Sequence, residues 1–544
     1  MKKFTGFLAL CAMVLAFASC SASRAEQMKL AEKVSVSSNP EVLALVGDKI
    51  PADITVTFPA KYFHPAAILE VTPVLVYEGG EQVGKTFKYQ GEKVKDNYRV
   101  IASNVDNSVT EKVAFDYVPG VETSYLELRS VAYYKNKTIE IPAIKVADGC
   151  NVTQLFASTE GEYSFKKDDY KEVISESAEG QVMYDYNSAT IKRSELRSDS
   201  VKELQAALDE IASDPRYTVT GTRVVAYASP EGGQQYNAKL SDKRAESAKK
   251  AWDKVTGGMK TDDIQVKSMG QDWDGFKEAV QTSNIEDKEL ILRVLSMYSD
   301  PAVRESEIRN MSKVYTEINK NVFPELRRAR FIADVNYKNF SDDELKELAD
   351  KAVDVLDEEG LLRVASITSN ADRKAELYKM AVSKFGSDRA QFNLAVLSLN
   401  AGKPDQAASL LEKVSKVDGD VNNALGVCEL QKGNLDAAAD FFRKAGTTEA
   451  KANLGTIDIL KGNYDAAVKN LEGTGSHNLA VAYILTNQLD KAEKSITCKC
   501  ARSNYLRAVI AARRGNSSDV EKYLAQTGKM KEKAEKDVEF ADFR

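Results

Sequence analysis

Few side chains in this sequence carry the chemistry of catalysis or metal binding. Its two histidines are His64 and His477, and by spacing neither belongs to a nucleophile or metal motif. Cys498-Lys499-Cys500 is a thiol pair that could suggest zinc, but no second pair and no clustered histidine stands nearby in the chain. The expectation is therefore no metal, with buried or idle thiols. No Gly-rich loop follows a strand to cradle phosphate, and no Gly-x-Ser-x-Gly elbow presents a nucleophile. The chain reads as non-enzymatic and without a cofactor. Carboxylates paired from distant positions are the one catalytic arrangement that spacing does not address.

Thiol chemistry of another kind stands near the start. Lys2 and Lys3 precede an apolar stretch from Phe7 to Phe17, too short to span a bilayer, which closes Phe17-Ala18-Ser19-Cys20. This resembles a lipobox, in which small residues fit the lipoprotein peptidase and the thiol takes the diacylglycerol. The resemblance implies a signal peptide over 1–19, lipidation of Cys20 and an outer-membrane anchor with more than one acyl chain. The rival reading is cleavage after Ala18 with Cys20 unmodified, which still exports the chain. Ser21 to Ala25 lack an acidic cluster, favouring an anchor that faces the periplasm, and residues 20–33 read as a linker. Cys150, Cys428, Cys498 and Cys500 are too few and too uneven for a disulfide scaffold.

A chain of 544 residues exceeds one hydrophobic core and predicts about three or four domains. With 43% apolar and 29% charged residues it is neither disordered nor a polytopic membrane protein. A net charge of −6 gives no electrostatic footprint for nucleic acid.

Three zones must position whatever these residues do. Over 34–160 the apolar period is two, as in Ile54 to Phe58, Val113 to Tyr117 and Ser124 to Leu128. Turn signals at Gly79-Gly80 and Pro119-Gly120 separate the runs, which predicts antiparallel strands in an all-β sandwich. Over 181–338 strand and helix mix. Val182 to Tyr186 is strand-like, Ser200 to Glu203 fits a capping box, and Val201, Leu204, Leu208 and Ile211 share a helix face. The strand Val224 to Ala228 runs into Ser229-Pro230-Glu231-Gly232-Gly233. A helix follows from Gln234 or Gln235, with Leu240, Ala248 and Trp252 as its buried stripe. This is an α+β arrangement with a helical insertion at about 273–325.

Val182-Met183-Tyr184-Asp185-Tyr186-Asn187-Ser188-Ala189, then Tyr236-Asn237-Ala238-Lys239-Leu240-Ser241-Asp242-Lys243-Arg244-Ala245, and the closing Arg327-Arg328-Ala329 resemble the OmpA C-terminal-like domain, a family that anchors envelope proteins to peptidoglycan. The resemblance implies a ligand site for diaminopimelate, in which an aspartate before the helix and the arginine of the Arg-Ala pair form a clamp. Carried over by position, Arg244 is present and Ser229 stands where the aspartate belongs, with Asn237 in the helical signature between them. A zwitterion needs both a guanidinium for its carboxylate and an anion for its ammonium. Either Glu231 supplies that anion or it is a solvated turn residue. Arg244 itself either faces ligand or makes a structural ion pair.

From 341 to 528 the chain is helical and repetitive. Gly402-Lys403-Pro404-Asp405, Gly433-Asn434-Leu435-Asp436, Gly462-Asn463-Tyr464-Asp465 and Asn487-Gln488-Leu489-Asp490 recur, with a looser echo at Gly515-Asn516. The motif resembles a tetratricopeptide hairpin. Its period, about 25 to 31 residues, is shorter than the standard of about 34, which clipped helices or turns would explain. Leu394, Leu410-Leu411, Phe441-Phe442 and Leu471 are the expected inter-repeat core, and 529–544 a charged tail or cap. The resemblance implies a groove for protein partners. The assembled expectation is a lipid-anchored scaffold that links the outer membrane to partner proteins through the repeats and the OmpA-like domain. The alternative is a peptidoglycan anchor working through Arg244.

Overall fold

The computed structural model describes residues 35–259, 261, 263–474 and 476–544; the expected leader, Cys20 and the linker to residue 33 lie outside them. The chain divides into two compact units, one taking residues up to Lys167 together with Asn370–Arg544, the other Asp168–Ser369. No helix among the described residues is long and apolar enough to cross a membrane.

The first unit opens with ten strands: β1 Ser35–Asn39, β2 Val42–Ala44, β3 Lys49–Phe58, β4 Ala67–Tyr77, β5 Gly80–Val83, β6 Phe87–Gly91, β7 Arg99–Ile101, β8 Asn107–Asp116, β9 Tyr125–Tyr134 and β10 Lys137–Asn151. One sheet has the order β1-β3-β8. The other runs β2-β10-β9-β4-β6-β7, with β5 on β4. Alternation does the work: Ile50, Ala52, Ile54, Val56 and Phe58 of β3 are all buried, and they share one core with Leu69, Val71, Leu126 and Leu128 of the other sheet. Two pairings depart from the antiparallel pattern, since β2 joins β10 and β6 joins β7 in parallel. Both are short strands, where alternation carries little register information.

The same unit contains a solenoid. The first helix of each hairpin is long and buried: Asp388–Asn400, Gly419–Gln431, Thr448–Leu460, His477–Leu485 and Ala501–Arg513. The second helices include Pro404–Leu411, Tyr464–Leu471 and Leu489–Ser495, of eight, eight and seven residues, and this clipping shortens the repeat. The recurring glycine of the motif is conformational: Gly402, Gly433, Gly462 and Gly515 have φ of +64°, +84°, +79° and +72°. Asn487 fills the same place at +56°, because asparagine tolerates the left-handed region better than other side chains. Of the expected core pairs, Leu411 and Phe442 are buried while Leu410 and Phe441 are only half-buried. The C-terminus is a cap: Phe540 packs edge-on against Tyr505, Asp537 accepts from the Tyr505 hydroxyl at 2.6 Å, and Glu539 pairs with Arg513.

The second unit is a four-stranded sheet of β11 Val173–Met183, β12 Tyr217–Ala228, β13 Gln265–Gln271 and β14 Arg328–Lys338, in the order β11-β14-β12-β13. Helices Asp199–Ser213 and Gln234–Val255 cover one face, joining Val201, Leu204, Ala248 and Trp252 to Val224, Ala226 and Phe331 in one core. Three local expectations are corrected. β11 spans Val173–Met183 rather than Val182 to Tyr186, its first part a mostly exposed stretch held by antiparallel pairing with β14 and not by an apolar pattern. The N-cap is Ser198, whose hydroxyl accepts from the Val201 amide at 3.4 Å, while Ser200 instead receives the Gln181 amide at 3.0 Å. Leu240 is only half-buried, and Ser241 and Arg244 take the inner positions.

The insertion forms four short helices between Trp273 and Asn321, around a core of its own that contains Phe276, Ile291, Ile318 and Phe323. Helices Asp342–Lys351 and Glu358–Ile367, expected in the solenoid, belong to this second unit. Glu344 reaches Arg216 at 3.2 Å, Arg363 forks onto Asp342 at 2.8 and 2.9 Å, and the Tyr170 hydroxyl donates to the Phe340 carbonyl at 2.8 Å.

Candidate functional site

The loop between β12 and the long helix brings Ser229, Glu231 and Asn237 together as a knot. The Ser229 hydroxyl donates to Glu231 Oε1 at 2.8 Å, and Asn237 Nδ2 donates to the carbonyls of Ser229, Glu231 and Gly232 at 3.1, 2.9 and 3.2 Å. Gln271 Nε2 reaches the Pro230 and Gly232 carbonyls at 3.0 and 2.9 Å, and Glu305 of the insertion accepts from the Gly232 amide at 2.9 Å. Glu231 is neither a free anion nor a solvated turn residue. Its Oε1 takes both Nε and Nη2 of Arg327, at 3.0 and 2.7 Å, in a pair whose side chains are only 10% and 12% exposed.

Arg244 is 1% exposed and faces inward. Its Nε donates to the Ser188 carbonyl at 2.9 Å, Nη1 to the Tyr227 carbonyl at 2.9 Å and Nη2 to the Asp185 carbonyl at 3.3 Å, with the guanidinium 4.9 Å from the centre of the Tyr184 ring. Burial pulls its pKa down to about 10 despite the opposing pull of Tyr184. This is not the structural ion pair considered from sequence, because the partners are main-chain oxygens. The guanidinium ties the segment after β11 to β12, and to fork onto a carboxylate it would have to release those carbonyls.

Arg327 and Arg328, quoted in the sequence only as a closing strand motif, are the missed residues. Arg327 lies 5.2 Å from the ring centre of Tyr186, which is 70% exposed. Arg328 holds Asp272 at 2.9 Å, and that carboxylate also caps the insertion's first helix through the Gly275 amide. Burial pushes the Asp272 pKa up, against the pull of Arg328.

In the first unit, the groove expected to receive a partner holds the chain's own segment, Ala157–Lys167. Asn478 exchanges two hydrogen bonds with the backbone of Ser158, at 2.7 and 3.0 Å. Asn453 does the same with Glu162, at 2.7 and 2.9 Å, and Asn393 with Lys166, at 2.8 and 2.9 Å. Asn423 adds a second donor to the Glu162 carbonyl at 2.9 Å. The Asn478, Asn453 and Asn393 amides each supply one donor and one acceptor to a single residue's main chain, imitating a β-ladder and leaving side-chain identity unread. Gly161 has φ +83°, and a Cβ there would lie 2.7 Å from the Val427 methyls, so only glycine passes that point. An open cavity of about 300 Å³ remains beside the segment, lined among others by Glu162, Asn453, His477 and Arg502.

Two of the four cysteines among the described residues, Cys150 and Cys428, are buried. Burial raises the Cys150 and Cys428 thiols to about 12. At the other pair, His477 Nε2 lies 3.3 Å from Cys498 Sγ and 3.5 Å from Cys500 Sγ, a meeting that spacing along the chain did not suggest. Burial alone would raise Cys500, but hydrogen bonds from Ser503, Cys498 and His477 outweigh it and bring that thiol down to about 6.

Residues 183–288 match the model of the OmpA family, and residues 392–453 match that of the tetratricopeptide repeat. Among solved structures, a tetratricopeptide repeat protein from Parabacteroides merdae is similar at 15% identity, over 35% of this chain and 85% of that one, with a TM-score of 0.28. Pseudomonas aeruginosa pilF is similar at 15% identity over 37% and 97%, with a TM-score of 0.27. Yeast Tom70 is similar at 12% identity over 64% and 86%, with a TM-score of 0.26. Scores this low carry no argument about function. No curated protein matches.

Proposed function

We propose that this chain, which carries an OmpA-family domain followed by tetratricopeptide repeats, is a non-enzymatic adaptor of the Gram-negative cell envelope. In this reading lipidated Cys20 holds it to the outer membrane facing the periplasm, the OmpA-like unit associates with peptidoglycan, and the repeat array engages protein. The observation that carries the reading is the asparagine ladder of the groove, which grips an extended peptide by its main chain. That is holding chemistry: it positions no nucleophile and no general base.

The second reading is anchoring through a diaminopimelate fork at Arg244. Its commitment to three carbonyls and the pairing of Glu231 with Arg327 speak against that route. The exposed Tyr186 ring over Arg327 offers a stacking surface in its place.

Three measurements test the adaptor: fractionation, sacculus sedimentation and crosslinking in cells. Cys20→Ala is expected to move the chain from the membrane fraction to the soluble periplasm, with loss of the lipid mass from the N-terminal peptide; continued membrane retention defeats the anchor. Full-length chain is expected to sediment with purified sacculi, and Tyr186→Ala to weaken that retention more than Arg244→Lys does, per folded molecule. A folded Arg244→Lys chain that alone loses sacculi would restore the diaminopimelate fork. Absence of both sacculus binding and crosslinked protein in cells would remove the adaptor altogether.

A further inference from the structure

The turn between the last two hairpins gathers soft donors from three places. His477 is the first residue of helix His477–Leu485, Cys498 lies in the connection that follows the next helix, and Cys500 is the N-cap of Ala501–Arg513. His477 Nε2 stands 3.3 and 3.5 Å from the two sulfurs, which are 3.0 Å apart. One ligand atom from each residue lies within 4.8 Å of the others. The fully buried Ser503 hydroxyl completes the cluster, 2.8 Å from Nε2, 3.0 Å from Cys498 Sγ and 3.4 Å from Cys500 Sγ. The Cys500 sulfur accepts from the Ser503 amide, and the Cys498 sulfur from the Cys500 amide, each at 3.5 Å. A helix N-terminus of this kind favours negative charge on sulfur. All four thiols among the described residues are free.

We propose that His477, Cys498 and Cys500 form a binding site for one thiolate-seeking d10 cation, Zn²⁺ or Cu⁺, with Ser503 Oγ beside an open fourth position. Metal–ligand lengths of about 2.0 to 2.3 Å place neighbouring tetrahedral donors about 3.5 to 3.8 Å apart, so the nitrogen–sulfur separations already fit and the sulfurs must part by under about 1 Å. Zn²⁺ takes the site with release of the two thiol protons, leaving it neutral; Cu⁺ with two thiolates and an imidazole leaves a single negative charge. The three ligands bridge consecutive hairpins, so a bound ion ties the array together at its capped end.

The test uses the untagged full chain, thiols reduced, stripped with chelator and titrated with Co²⁺ as the spectroscopic stand-in for Zn²⁺. The expected result is one Co²⁺ per chain, with tetrahedral ligand-field bands and a thiolate charge-transfer band that Zn²⁺ abolishes, and with both bands lost in Cys500→Ser. Anaerobic competition against a Cu⁺ chelator gives the copper arm, and the tighter ion identifies the occupant. Zn²⁺ or Cu⁺ should also slow hydrogen exchange in helices His477–Leu485 and Ala501–Arg513 of the native chain, a readout independent of any variant's folding. A reduced chain that takes neither metal, a Co²⁺ spectrum that survives Cys498→Ser with Cys500→Ser, or binding with no change in exchange across the two helices overturns the inference.

Discussion

Arg244→Ala is expected to destabilise the second unit by about 3 to 5 kcal/mol. The change orphans buried acceptors. The carbonyls of Ser188 and Tyr227 lose this donor together, at about 1 to 3 kcal/mol for each one left dry, while that of Asp185 keeps the Ser188 amide at 3.1 Å. The void where a 1%-exposed side chain lay against Tyr184 adds to that cost. The measurement is unusually clean, because the chain's two tryptophans, Trp252 and Trp273, both lie in this unit. Urea unfolding followed by tryptophan fluorescence therefore reports on it alone, with a midpoint that falls while the slope is kept. Arg244→Lys should recover only part of the loss, since an ammonium is a point donor that does not reproduce the fork. An Arg244→Ala chain within about 0.5 kcal/mol of the parent would mean that the guanidinium is free for ligand after all.

Asn453→Ala is expected to cost the first unit about 2 to 4 kcal/mol and to unseat the segment in its groove. Asn453 is fully buried, and it gives up both bonds to Glu162 and the one to the side chain of Asn423 at 3.0 Å. Asn423→Ala should cost less, because the Glu162 carbonyl then keeps its donor from Asn453. Hydrogen exchange at the Glu162 amide is one readout. Tryptic cleavage after Lys166 and Lys167 is the other, and it should accelerate in Asn453→Ala well before global unfolding. Unchanged cleavage would show that the apolar contacts of Tyr163 and Phe165 hold the segment without the ladder.

How much of this was legible depends on whether a residue's partner has an identity in the sequence. The repeats were, because Gly402, Gly433 and Gly462 mark left-handed turns that few other residues adopt. So was the sandwich, from the alternation in β3. Arg244 was visible by resemblance, but its role was not, since its partners are carbonyls and every residue has one. The asparagines left a signal that went unread: Asn393, Asn423, Asn453 and Asn478 lie on successive first helices. A polar residue recurring at a buried position of a repeat asks for a common polar partner, here a stretch of chain more than two hundred residues away. His477 and the Cys498–Cys500 pair were missed for a related reason. Spacing rules look for ligands close in sequence, while a solenoid stacks residues one repeat apart.

The segment in the groove also sets an order of events. Ser158, Glu162 and Lys166 meet asparagines 320, 291 and 227 positions further on, so the segment has no seat until most of the polypeptide has been delivered. Long-range closures of this sort form late. Until then Asn393, Asn453 and Asn478 lack the main chain they pair with in the folded unit. Once the resident strand arrives, tethered at both ends, a competitor faces an effective concentration on the order of millimolar or more. The groove is thereby self-filled in the folded molecule, and any competitor for it meets that tethered strand first.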